Sequence, residues 1–320
     1  MSLSALPSEP ADDPRRLAAA LVTQVERVVR GKTDAVRLAL CALLAGEHLL
    51  IEDVPGTGKT MLARSLAAAL GGRFRRVQCT PDLLPGDLTG TTVYDAATSS
   101  WSFRPGPVFA NVVLVDELNR ASPRTQAALL EPMEEASVSV DGTTHALPVP
   151  SLVIATQNPF GSAGTFALPE SQLDRFGIVL SMGVPDRDAQ RALLQGEGGA
   201  AALDEVVAVT TPAQLAATIA AVATIHVADA VVEYVLDLIE ATRRHAEIVL
   251  GASPRAADSL LRLARAHAVI SDRSFVSPDD VQAVFAPALA HRIVTLEGLA
   301  VVAATRALTD LVGAIAVPPV

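Results

Sequence analysis

The stretch LLIEDVPGTGKTMLARSLAAAL, residues 49–70, sets a short apolar run before a turn of small residues and then apolar positions at helical spacing. Leu49–Ile51 reads as a buried strand, and residues 61–70 as a helix closed by Gly71 and Gly72. Strand, glycine-rich turn and helix is the order a phosphate site requires. In Gly56-Thr57-Gly58-Lys59-Thr60 the small residues let backbone N–H groups approach phosphate oxygens, with Pro55 and Met61 on either side. Lys59 supplies a cation for the β- and γ-phosphates of ATP, and Thr60 a hydroxyl for Mg²⁺. The positive end of the helix dipole adds to both. One residue departs from the pattern: Asp53 stands where a glycine is usual. Its carboxylate must point away from phosphate, or the loop must enter at a different angle.

Outward from this loop, apolar strands alternate with helices. Val112–Val115 ends at Asp116, Leu152–Ala155 runs into Gln157 and Asn158, and Ile178–Leu180 is a further strand. Residues 123–135 form the clearest helix between them. Upstream, Leu17, Leu21, Val25 and Val28 recur at helical spacing up to Gly31, and a second helix spans 34–45 with Thr33 as N-cap. This predicts an α/β fold: a P-loop core with a mainly parallel sheet between helices. Active residues at the carboxyl ends of the strands fit the site rule for such sheets. Two excursions interrupt the alternation. Residues 81–107 are too long for a connector, and 137–149 read as a hairpin turning at Asp141-Gly142. After Pro185-Asp186 the chain is helical, with helices at 229–246, 253–270 and 278–291, a smaller all-α lid domain. The expected division is an arm over 1–14, disordered by its Ser, Pro and Asp content, a core over 15–184 and the lid over 185–320.

Asp116 and Glu117 close an apolar strand as a carboxylate pair. The first can hold Mg²⁺ through water and the second can polarise an attacking water. An adjacent second acid argues for hydrolysis over transfer to a small substrate. Asn158 offers a neutral amide to position that water, against the plainer reading of a turn-forming Asn-Pro pair. Arg175 is a fork donor suited to transition-state phosphoryl charge, or else a surface ion-pair partner. Arg255 sits in the first turn of a helix, a poor place for a cation, which points to an external anion. Trp101 and Phe103 read as core, and the histidines show no metal spacing.

The formal charge of −10 and pI near 5.1 disfavour a nucleic-acid surface. The apolar segments at 213–225 and 298–320 are too short or interrupted to span a bilayer, so no membrane insertion is expected. Cys41 and Cys79 read as reduced core thiols of a cytoplasmic protein.

With these elements in this order the chain resembles the MoxR-type AAA+ ATPases of the helix-two-insert clade. The resemblance runs from about residue 28 to 293. It rests on EDVPGTGKT (52–60), FRPGPVFAN (103–111), VDELNRA (115–121), TQAALLEPMEE (125–135), ATQNP (155–159), LPESQLDRF (168–176) and GASPR (251–255). It implies Walker A roles for Lys59 and Thr60 and Walker B roles for Asp116 and Glu117. It implies sensor 1 at Asn158, an arginine finger at Arg175, sensor 2 at Arg255 and adenine contact near Gly31. Asp53 resembles a variation such proteins tolerate. Residues 81–107 resemble the helix-two insert and 137–149 the hairpin before sensor 1. The family implies a homo-hexameric ring hydrolysing ATP in trans, with Arg255 reading the γ-phosphate through lid rotation. It also implies chaperone-like work on a client complex, often with a von Willebrand A-domain protein. A binding module with negligible turnover, a DNA-acting motor and a small-molecule kinase are the competing readings. An ATPase assay, DNA binding and an acceptor pocket distinguish them.

Overall fold

A computed structural model describes residues 13–158 and 164–319. Asp13 caps helix α1 (Pro14–Val28), its carboxylate accepting from the Arg15 N–H at 3.0 Å. The end of the expected arm is therefore the start of a helix, and residues 1–12 lie outside the described residues. In α2 (Thr33–Leu44) Thr33 is already helical, and Lys32 holds the cap position without a side-chain bond. β1 (Leu49–Glu52) and α3 (Lys59–Ala69) enclose the glycine loop, and β2 (Phe74–Gln78) follows. The first excursion folds as α4 (Pro85–Thr89) and a hairpin of β3 (Gly90–Asp95) and β4 (Ser100–Pro105). Next come β5 (Val112–Asp116), α5 (Pro123–Glu135), the hairpin β6 (Ser137–Val140) and β7 (Thr143–Ala146), β8 (Leu152–Gln157), α6 (Glu170–Leu173) and β9 (Ile178–Leu180).

The sheet is parallel throughout, in the order β2-β5-β8-β1-β9. β1 and β5 therefore end side by side across β8, which brings the glycine loop and the acid pair to one edge. Every residue of β5 is buried, as expected for a central strand covered on both faces. The sequence reading missed β2. It is an edge strand with a single buried residue, Val77, so its FRRVQ shows neither an apolar run nor clean alternation.

Helices α7 (Arg187–Leu194), α8 (Gly199–Leu203), α9 (Pro212–Ala223), α10 (Asp229–Arg244), α11 (Pro254–Ile270), α12 (Pro278–Leu289) and α13 (Val301–Ala314) follow. Between them the expected all-α lid also carries four short strands, β10 (His226–Val227), β11 (Ile248–Leu250), β12 (Phe275–Val276) and β13 (Val294–Thr295), paired as β10-β12 and β11-β13. α11 starts one residue inside its expected span because Ser253 is its cap, and α10 and α12 start where expected but end two residues short. These helices share one continuous core with the sheet layer: α11 packs on α1 and α2, and α12 on β9. Leu260, Leu263, Val281 and Phe285 are fully buried in it, each contributing about 1.5–3 kcal/mol of apolar burial. Between α11 and α12, burial opposes ionisation of Asp280, but hydrogen bonds from His267, Arg273 and Ser277 outweigh it and hold the carboxyl at about 2.

The expectation that Trp101 is core is corrected. It is 70% exposed and lies against Tyr94 of the neighbouring strand, ring centroids 5.2 Å apart. A two-stranded hairpin outside the main sheet leaves one face uncovered, so strand alternation there does not mean burial. Phe103 is half-buried and stacks on His145 of β7, joining the two hairpins. Cys41 and Cys79 are free and buried. No helix among the described residues is long and apolar enough to cross a membrane.

Candidate active site

Gly56 and Gly58 adopt φ of 87° and 99°, where a side chain would be strained. Gly58 caps α3, so the N–H groups of Lys59, Thr60 and Met61 precede the first intrahelical bond and face the loop unsatisfied by the helix. The Lys59 ammonium donates to the Val54 and Asp53 carbonyls at 2.7 and 3.1 Å, and the buried Thr57 hydroxyl to Val54 O at 3.3 Å. Of the two options for Asp53, the structure takes the first. Its carboxylate turns from the cradle and accepts the N–H of Val54 at 2.8 Å and of Gly183, just beyond β9, at 2.7 Å. A residue that looks like a defect in the loop thus ties the loop to the sheet's far edge.

Across β8, Asp116 is buried at the end of β5. One oxygen accepts the Thr156 hydroxyl at 3.2 Å, and the other pairs with Arg76 of β2 at 2.6 Å. Glu117 stands in the left-handed region at φ 55°, a conformation that costs a non-glycine residue roughly 1–3 kcal/mol and that clusters at working sites. Its N–H donates to the Thr156 hydroxyl at 2.9 Å. Its carboxylate accepts from Gln78 at 3.0 Å and pairs with Arg120 at 2.9 Å. Thr156 thereby fixes both acids. Lys59, Thr60, Asp116, Glu117 and Asn158 line one open cavity of about 340 Å³ together with Gly56 and Gly58. Cation, hydroxyl, first-turn N–H groups and paired carboxylates are the donor set a magnesium-bound triphosphate needs, and the residues fit that group.

Gly31, Arg175 and Arg255 do not line this cavity. Gly31 sits at φ 68° against the start of α7, where a Cβ would lie 2.6 Å from that of Ala189. Arg175 and Arg255 come together elsewhere, on the single carboxylate of Glu134 at the end of α5, at 2.9 and 2.7 Å. The two guanidiniums beside it, Arg175 first, hold the Glu134 carboxyl below its ordinary range. Sequence reasoning gave Arg76, Gln78, Thr156 and Glu134 no role. Thr156 had a legible signal, a polar residue closing an apolar strand; the β2 residues had none.

Phe176, next to Arg175, is fully buried, and its carbonyl accepts from His291 Nε2 at 2.6 Å. Burial first, and the Arg292 charge second, push the His291 imidazole down to about 3. Burial also lowers His48, whose Nδ1 accepts the Val153 N–H while Nε2 donates to Met133 O. The His291 ring is neutral in the folded protein near neutral pH and takes up a proton on unfolding. Its contribution to stability is complete above about pH 6.5 and is lost as pH falls toward 3, by up to ~1.4 kcal/mol per pH unit, and the lowered His48 acts in the same direction. Denaturant midpoints measured between pH 7 and 5 are expected to fall, and to fall less steeply in His291→Gln. Equal slopes would refute the assignment to His291.

Comparison with known proteins gives the same outline. Residues 48–178 match the model of the "ATPase family associated with various cellular activities (AAA)", and residues 240–310 that of an AAA lid domain. The chain is 43% identical over 282 residues to the uncharacterized protein YeaC of Bacillus subtilis, covering 88% of each. It is 37% identical over 289 residues to Chaperone MoxR1 of Mycobacterium tuberculosis, covering 87% of this chain and 76% of that one. The crystal structure of a proposed ATPase from Cytophaga hutchinsonii superposes with a TM-score of 0.86 at 31% identity, over 96% of both chains.

Proposed function

The chain belongs to the MoxR-type AAA+ ATPases, and from that membership we propose that it hydrolyses Mg²⁺–ATP within a homo-hexameric ring. One observation carries this reading: the two arginines with phosphate-binding chemistry share Glu134 and stay out of their own chain's phosphate cavity. A cation pair that stabilises phosphoryl charge from there serves a neighbour's nucleotide. Arg255, carried by the lid, keeps its expected part of reading a γ-phosphate, here that of the neighbouring subunit.

In this reading Lys59 and the N–H groups of Lys59–Met61 bind the β- and γ-phosphates. The Thr60 hydroxyl and the Asp116 carboxylate would hold a magnesium ion, which would supply neutralising charge to the phosphates. Arg76 pairs with one Asp116 oxygen and keeps that carboxylate oriented toward the cavity. Glu117 takes a proton from the attacking water and Asn158 orients it. Arg175 and Arg255 leave Glu134 for the next subunit's γ-phosphate, an exchange of carboxylate for phosphate that keeps their charge paired. The core over 15–184 and lid over 185–320 are the bodies whose relative seating this exchange would alter. The output is chaperone-like remodelling of a client protein complex, supported by the relative named Chaperone MoxR1. A von Willebrand A-domain protein is the partner class that the family resemblance suggests.

The test is ATP turnover per subunit across protein concentration, with particle mass measured alongside. Turnover is expected to rise in step with ring assembly. A monomer with the full rate would refute the shared site.

A further inference from the structure

The segment that carries Arg175 is held on both sides by the two residues that end the α12 region. Arg292 donates from Nη2 to the Asp174 carbonyl at 3.1 Å and pairs through Nε with the Asp174 carboxylate at 3.3 Å. His291 Nε2 donates to the Phe176 carbonyl at 2.6 Å. On the sheet side the Gly177 N–H donates to His48 O at 2.9 Å, and a Cβ on Gly177 would lie 2.4 Å from that of Glu47. Residues 174, 176 and 177 are thus fixed by backbone bonds, while the Arg175 side chain reaches outward to Glu134 and the Ser171 carbonyl.

Packing alone does not explain this arrangement. The Arg292 side chain is 2% exposed, its Nη1 has no hydrogen-bond partner among the described residues, and neither has His291 Nδ1. Burying a guanidinium and an imidazole with atoms left unpaired is costly, and a leucine in either place would avoid the cost. What the polar pair supplies is direction, since two donors address two carbonyls on either side of one residue.

We propose that His291 and Arg292 are positioning residues for Arg175, setting the angle at which it leaves the subunit and coupling that angle to the seating of α12 on the sheet. The proposal rests on the reading of Arg175 as a group that acts on the neighbouring nucleotide. With the segment clamped, a shift of α12 moves the Asp174 and Phe176 carbonyls together and so turns the arginine between them. A displacement of about 1 Å in a reacting group can cost on the order of 10²-fold in rate.

The full-length ring tests this with His291→Leu, which loses the donor, His291→Gln, which keeps one, and Arg292→Lys, which keeps charge but loses the fork. Asp174→Asn removes only the ion pair at a partly exposed residue and guards against misfolding of the buried variants. His291→Leu, Arg292→Lys and Asp174→Asn are expected to lower kcat about 10- to 100-fold with the affinity for ATP held within about twofold. His291→Gln should stay closest to the parent. Mixing any of the impaired variants with Lys59→Ala subunits, which have an intact clamp but a dead loop, should restore turnover. A loss that Lys59→Ala subunits do not relieve signals general damage and overturns the proposal. So does an unchanged kcat in variants that assemble while Arg175→Ala is impaired. If Arg175→Ala itself keeps the parent rate, the reading of Arg175 fails and the clamp falls with it.

Discussion

Replacing Arg175 by Ala is expected to lower ATP turnover by roughly 10³-fold, the scale on which a guanidinium aimed at a transferring phosphoryl group acts. The affinity for ATP should stay close to the parent's, because Arg175 lies outside the cavity formed by Gly56, Lys59 and Asp116. The loss should also be curable from outside the subunit. A ring mixed equally from Arg175→Ala and Lys59→Ala subunits has about a quarter of its interfaces with an intact loop facing an intact arginine. Those interfaces should turn over although neither parent ring does. If the mixture stays inactive while both variants assemble, action in trans is wrong. Arg255→Ala should behave alike but more mildly, since its guanidinium is half exposed and meets Glu134 from the start of α11.

Glu117→Gln is the second large effect. The amide keeps the size of the carboxylate and can keep the bond to Gln78, but it cannot take a proton from water. Loss of a general base costs about 10²–10⁴-fold, so turnover should fall by that factor with nucleotide binding retained. The same variant should hold ATP long enough for a pull-down, and a client of the ring should be enriched with ATP over ADP. Parent-level turnover in Glu117→Gln would remove Glu117 from the mechanism. Enrichment of nothing in the ATP-held state would count against remodelling.

The central site was legible because its chemistry is local in the chain. A strand, six residues of turn and a helix N-terminus are consecutive, so 49–70 read alone specify the cradle. Asp116, Glu117 and Asn158 were legible because each closes an apolar strand, and parallel strands deliver their carboxyl ends to one edge. Arg76 and Gln78 escaped for the converse reason. They lie on an edge strand whose outer side meets solvent, where no apolar pattern marks the strand, and only pairing with β5 sets them against Asp116 and Glu117. Asp53 was seen as a departure, but its two N–H partners include Gly183, 130 residues away in sequence.

The sequence by itself therefore determined the P-loop, the acid pair, the alternating α/β order and the helical C-terminal part, all of which depend on neighbours within a few residues. Tertiary structure alone decided where the two arginines go. Arg175 and Arg255 are 80 residues apart in the chain, and nothing in either's surroundings there names Glu134 as their common partner. That meeting needs α11 and α12 seated on α2 and β9, through the shared hydrophobic core, and His291 and Arg292 buried against the segment that carries Arg175. Hydrophobic burial and paired charge over long sequence separations set that placement, and no local pattern encodes it.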